Sequence, residues 1–182
     1  GVAIGDVWHE GMMDLFTTHW VNEDHALWRN QSATTPDNSI LLEDVGPTTG
    51  ILDIKSTADV GWGIELIDFD NDGHLDMVLA NGSTIEDELT LEVLKDPKLL
   101  PQRCRLLRND GTTNFIDISA GGGKFFQREL VARGLACADY NQDGRMDVAI
   151  VLHSGEGTLL RNTSANTGNW LQVKLEGTAS NR

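Results

Sequence analysis

The chain has 182 residues, 40% of them hydrophobic and 23% charged, with 28 acidic residues against 14 basic ones for a formal net charge of −14. No apolar run approaches the ~18 residues needed to cross a bilayer, and a field this negative repels phosphate backbones and anionic lipid, so neither nucleic acid nor membrane insertion is expected. The acids do not read as a disordered tail, because they lie among Gly and Asn at fixed spacings between apolar runs, an arrangement suited to cations.

A repeat organises the chain. Gly1-Val-Ala-Ile-Gly-Asp6-Val-Trp-His-Glu10-Gly11-Met-Met-Asp14 aligns without a gap to Gly63-Ile-Glu-Leu-Ile-Asp68-Phe-Asp70-Asn-Asp72-Gly73-His-Leu-Asp76. Both align in turn to Gly134-Leu-Ala-Cys-Ala-Asp139-Tyr-Asn141-Gln-Asp143-Gly144-Arg-Met-Asp147. In each, a glycine precedes an Asp by five residues, an acidic turn follows, and an apolar run comes after it. A second element recurs as Leu27-Trp28-Arg29-Asn30, Leu106-Leu107-Arg108-Asn109 and Leu159-Leu160-Arg161-Asn162. From leading Asp to Arg the offsets are 23, 40 and 22 residues, so the middle repeat carries an insertion. It falls at 84–101, where Ile85, Leu89, Val93 and Leu94 recur at helical spacing and Pro97 and Pro101 end the run, which predicts one short helix. Ile51-Leu52-Asp53-Ile54 and Phe115-Ile116-Asp117-Ile118 alternate as half-buried strands do.

Short strands therefore dominate, about four per repeat, which is the content of one blade of a β-propeller. The predicted fold is all-β: about three four-stranded blades of a larger ring, with the one helical insertion. The predicted boundaries are 1–58, 59–130 (insertion 84–101) and 131–168, with 169–182 opening a further, truncated domain.

The acidic turns carry the chemistry. Asp68, Asp70, Asp72 and Asp76 occupy positions 1, 3, 5 and 9 of a D-x-D-x-D-G-x-x-D loop, and Gly73 permits the turn that brings the His74 carbonyl to the same centre. Hard oxygen ligands in that pattern select Ca2+. Isolated DG and NDG pairs mark turns only, but here the spacing is complete and recurs. The third loop offers Asp139, Asn141, Asp143 and Asp147 with the Arg145 carbonyl, one formal charge fewer and so weaker binding. The first keeps Asp6, Glu10 and Asp14 but has Trp8 at position 3, where no ligand atom exists, and reads as a vestigial, packed loop. An EF-hand is excluded, since position 12 is Leu79 or Ile150 and a strand-like run follows each loop.

On these residues the sequence resembles the FG-GAP/VCBS repeats of integrin-like propellers, and more closely the cartilage acidic protein family, whose members end in an ASPIC/UnbV domain. The resemblance also takes in Ala80-Asn81-Gly82, Leu106-Leu-Arg-Asn-Asp-Gly, Arg133-Gly-Leu-Ala and the closing Asn169-Trp-Leu-Gln-Val-Lys-Leu-Glu-Gly. It implies calcium between the first two strands of a blade, a secreted location (periplasmic or cell-surface in a bacterium), and an adhesive, ligand-binding or scaffold role toward a protein or glycan. It also implies a ring that begins before Gly1 and a last domain that runs past Arg182. The opening residues, with neither a basic nor an apolar leader stretch and no initial Met, read as processed or truncated.

No catalytic constellation stands out, and the chain is not expected to be an enzyme. His9, His19, His25, His74 and His153 form no metalloprotease pair, and Gly121-Gly122-Gly123-Lys124 lacks the spacing of a phosphate loop and reads as a turn. Cys104 and Cys137 make no metal or haem motif, and a disulfide between them is left open. The tryptophans are expected to pack within blades, and Asn30, Asn81 and Asn162 head glycosylation sequons. Two other functional classes are weighed. A part of a carbohydrate-active enzyme would need paired carboxylates, and spare acids such as Glu65 and Asp117 form no evident pair. A structural polymer would self-associate through open blade edges.

Overall fold

The structure, a computed structural model, describes residues 1–20, 23–37, 39–51, 59–83, 101–153, 155–165 and 167–177. Among these, eleven strands form three antiparallel sheets in chain order. The first holds β1 (Val2–Gly5), β2 (Asp14–Thr17), β3 (Ala26–Asn30) and β4 (Leu42–Asp44). The second holds β5 (Gly61–Ile67), β6 (Asp76–Asn81), β7 (Arg105–Asn109) and β8 (Phe115–Asp117). The third holds β9 (Ala132–Ala138), β10 (Asp147–Leu152) and β11 (Gly157–Leu160). Each is a meander in which every strand pairs with its sequence neighbour.

The repeat is a repeat of register. Gly5 pairs with Asp14, Ile67 with Asp76 and Ala138 with Asp147, so each acidic turn closes the same first hairpin. The sheets lie side by side through their first strands, β5 being packed between β1 and β9. The leading glycine of the repeat is placed at that crossing: a Cβ on Gly63 would stand 2.6 Å from the Leu135 side chain.

Two cores result, one on each face of the middle sheet. Met77 and Leu79 of β6 enter the core shared with Phe16, Leu27 and Ile51, while Val78 and Ala80 enter the core shared with Phe126, Ala132 and Ile150. Being covered on both faces, β6 is buried along its whole length, with a continuous apolar run from Met77 to Ala80 between Asp76 and Asn81, the larger apolar side chains contributing about 2 kcal/mol each. In β10 the alternate residues Ala149 and Val151 are exposed, because its sheet is covered on one face only.

The predicted helix at 84–101 lies outside the described residues except for Pro101, as do residues 52–54 of the predicted strand at 51–54. The counterpart of β8 in the first sheet is instead β4: Asp44 pairs with Trp28 as Asp117 pairs with Leu107, and a 3-10 turn follows each. Ile51 is fully buried in the core between the first two sheets. Cys104 and Cys137 are free thiols, and burial pushes the Cys137 thiol up to about 12. No helix among the described residues is long and apolar enough to cross a membrane.

Candidate metal centre

The three acidic turns share one backbone design. The position-one carboxylate accepts two amides of its own loop: Asp68 takes those of Asp72 and Gly73 at 3.0 and 2.9 Å, Asp6 those of Glu10 and Gly11, and Asp139 those of Asp143 and Gly144. To aim those amides inward, the chain turns left-handed at position four in His9, Asn71 and Gln142 (φ 55 to 58°). It does so again at the glycine of position six, where φ is +93° in Gly73.

The position-nine aspartate is a buried staple. Asp76, fully buried, accepts the Phe69 amide at 3.2 Å on Oδ2 and the Asn109 amide at 2.8 Å on Oδ1. Asp14 does the same with Val7 and Asn30, both at 2.9 Å. Asp147 accepts the Asn162 amide at 2.7 Å on Oδ1, and its Oδ2 is buried without a partner among the described residues. The Asn of each Leu-x-Arg-Asn element thus fastens the third strand of its sheet to the turn. Recurrence marks these asparagines in the sequence, but their role emerges only in the fold.

What differs between the turns is how their acids are compensated. In the first, Glu10 is drawn into an ion pair with Arg29 at 2.5 Å, and the same guanidinium lies 5.1 Å over the Trp8 ring. In the third, Arg145 and Arg161 both reach Asp143 Oδ2, at 2.6 and 3.2 Å, and Asn141 donates to the same oxygen. Burial works against ionisation of Asp143, but these hydrogen bonds prevail and bring its carboxyl below the usual range.

In the second turn no arginine or lysine pairs with an acid among the described residues, and Arg108, the counterpart of Arg29 and Arg161, is exposed. Here Asp68, Asp70 and Asp76 bring one carboxylate oxygen each to within 4.8 Å of the others. Oxygens bound at about 2.3–2.6 Å to a common calcium ion stand at most about 5 Å apart. Asp70 Oδ1 is buried with no hydrogen-bond partner among the described residues. Burial, and next the charges of Asp72 and Asp68, push the Asp70 carboxyl up. Burial raises Asp76 to about 7 against the pull of its two amide hydrogen bonds. Two carboxyls pushed up chiefly by burial, Asp70 and Asp76, gathered with Asp68 around an oxygen that lacks a partner among the described residues, make a group that could hold a metal ion.

Of the residues marked in the sequence, the fold gathers Asp68, Asp70 and Asp76. Asp72 turns one oxygen to the His74 amide at 2.8 Å. The acids of the first and third turns are not gathered in this way; Glu10 and Asp143 are held by arginines. The chain segment after β11 crosses the second and third turns and ties them together. Asn162 Nδ2 donates to the Phe69 carbonyl at 2.7 Å, Gly168 N to the Asp70 carbonyl at 2.8 Å, and the Trp170 ring lies on Gly144. The Asn71 amide reaches the Gly144 carbonyl at 2.9 Å.

The other marked residues have structural surroundings. Asn81 is fully buried with its amide on the Arg103 carbonyl, which closes its sequon to modification in the folded chain. Trp62 donates to the Gly82 carbonyl at 2.7 Å and carries Arg133 over its ring. Gly122 packs against Phe126 and Leu106 in a turn. The chain matches no model of a known protein family and no curated protein.

Proposed function

We propose that the chain is a calcium-binding, non-enzymatic module built of β-propeller repeats, acting outside the cell as an adhesive, ligand-binding or scaffold element toward a protein or glycan. The observation that carries this reading is the convergence of Asp68, Asp70 and Asp76 in the one turn where, among the described residues, no basic side chain forms an ion pair with an acid. Asp72 and the His74 carbonyl complete the ligand set as the loop spacing has it, with the third turn a weaker second site. Three up-and-down sheets packed through their first strands support the propeller reading.

In this reading calcium is a structural ion. It neutralises the second turn and so steadies the point where that turn, the third turn and the segment to Trp170 meet. Thermal unfolding with calcium, with magnesium and with chelator tests it. Calcium should raise the midpoint by several degrees and magnesium should do much less, since the smaller ion gives up its waters reluctantly. Equal midpoints in calcium and chelator would remove the calcium from the proposal.

A further inference from the structure

The first and second acidic turns meet through their histidines. His9, at position four of the first turn, and His74, at position seven of the second, stand with ring centroids 5.5 Å apart and ring planes at 60°. No ring nitrogen of either has a hydrogen-bond or ion-pair partner among the described residues, and both rings reach solvent, His9 being exposed and His74 half-buried. The backbone fixes both. His9 has a left-handed φ of 55° and follows Trp8, which packs against the core of the first two sheets; the next amide, of Glu10, is held on Asp6 Oδ1 at 2.9 Å. The His74 amide donates to Asp72 Oδ1 at 2.8 Å, and the carbonyl of the following Leu75 accepts the Asn109 side chain at 3.3 Å. Gly111, in the turn between β7 and β8, faces the same imidazole: a Cβ there would stand 3.1 Å from His74 Nε2, its nearest atom, so glycine at this place keeps that nitrogen clear.

We propose that His9 and His74 together hold a divalent transition-metal ion of the zinc and copper class across the first and second turns, at a site apart from the acids of the second turn. Imidazole nitrogens are ligands that such ions favour, whereas calcium takes oxygen. The spacing suits one shared ion. A tetrahedral metal bonded to two ring nitrogens at about 2.0–2.1 Å keeps the ring centroids about 5.2 Å apart, close to the 5.5 Å found here. Edge-to-face rings also pack at such distances for their own sake. What sets this pair apart is that both rings are open to solvent, stand on fixed turns, and leave every ring nitrogen unused among the described residues. Water fills the remaining positions on the ion. Once bound, the ion clasps the first sheet to the second at the turn end, beyond the packing of β1 against β5. It draws on the His74 ring, while the calcium proposed above draws on the His74 carbonyl, so neither site depends on the other.

Calorimetric titration of zinc into the whole chain, in saturating calcium, tests it with His9→Phe and His74→Phe, which keep a ring and remove its nitrogens, and with Asp70→Asn. Wild type and Asp70→Asn should bind zinc alike. Each Phe variant, checked for unchanged circular dichroism, should bind it at least about tenfold more weakly, since a ligand is lost outright. Zinc should also raise the melting midpoint of wild type and not of the Phe variants. Copper used as a spectroscopic probe on wild type alone gives a second reading: its electron paramagnetic resonance should show coupling to two imidazole nitrogens. Zinc bound equally by wild type and the Phe variants, or by none of them, would overturn the proposal. So would loss of zinc in Asp70→Asn alone, which would put the ion on the acids, or a copper signal from fewer than two imidazoles.

Discussion

The amide of Asn109 donates to Asp76 Oδ1 at 2.8 Å, so a residue of the third strand in the middle sheet holds the last acid of the turn between the first two. Asp14 with Asn30 and Asp147 with Asn162 repeat the bond. Position nine therefore has two duties that substitution separates. Asp14→Ala leaves the buried amides of Val7 and Asn30 unsatisfied in a turn whose Glu10 is paired with Arg29. It is expected to cost about 2–4 kcal/mol in urea unfolding with calcium binding intact.

Asp70 has the opposite character. Its Oδ1 makes no hydrogen bond among the described residues, and burial, then the charges of Asp72 and Asp68, raise its carboxyl. Asp70→Asn is expected to leave the chelator-treated protein as stable as wild type or slightly more so, and to abolish the rise in melting midpoint that calcium gives. Differential scanning calorimetry in the two buffers reads both effects.

His25 supplies a pH dependence independent of the metal. It is 5% exposed, its Nδ1 accepts the His19 amide at 3.1 Å, and its Nε2 has no partner among the described residues. Burial, then the nearby His19, the Gly1 amino group and Arg105, with only Asp24 opposing, lower its pKa to about 4. The fold holds the imidazole neutral, whereas the unfolded chain takes up a proton below about pH 6.5. Stability is therefore full above pH 6.5 and falls by about 3 kcal/mol as the pH drops to about 4, with no further loss from this group below that. His25→Gln should flatten that part of the profile in denaturant melts taken from pH 4 to 7.

Gly11 and Gly144 have left-handed φ values of +74° and +81°, but a Cβ on Gly11 meets nothing within 4 Å and one on Gly144 would stand 2.1 Å from the Trp170 indole. Gly11→Ala is expected to cost about 1 kcal/mol from backbone strain alone. Gly144→Ala should cost more and displace the indole, which a red shift in tryptophan emission with Gly144→Ala but not Gly11→Ala would report.

Much of this was legible in the residues. The glycine-to-Asp spacing foretold three equivalent hairpins, and the register pairs Gly5–Asp14, Ile67–Asp76 and Ala138–Asp147 bear this out. The all-β class followed from the short apolar runs. The fourth strand of the first sheet, Leu42–Asp44, is not marked by the sequence, because Leu42-Glu-Asp is less regular than Phe115-Ile-Asp-Ile, while the strand expected at 51–54 lies outside the described residues beyond Ile51. The left-handed bends at His9, Asn71 and Gln142 escape a reading that expects glycine where φ is positive. Nor does ligand spacing show how each loop is compensated. Arg29 and Arg161 form ion pairs with acids of their turns and, among the described residues, Arg108 does not, a difference made by side-chain placement within one shared motif.

The central claim is that the second turn holds calcium through Asp68, Asp70 and Asp76. Calorimetric titration of calcium into the chelator-treated protein, for wild type and Asp70→Asn, addresses it most directly. A strongest site present in wild type and missing from Asp70→Asn, with any weaker site in the third turn retained, is the expected result. Equal heats from both proteins, or none from either, would contradict the account and leave the acidic turn a turn alone.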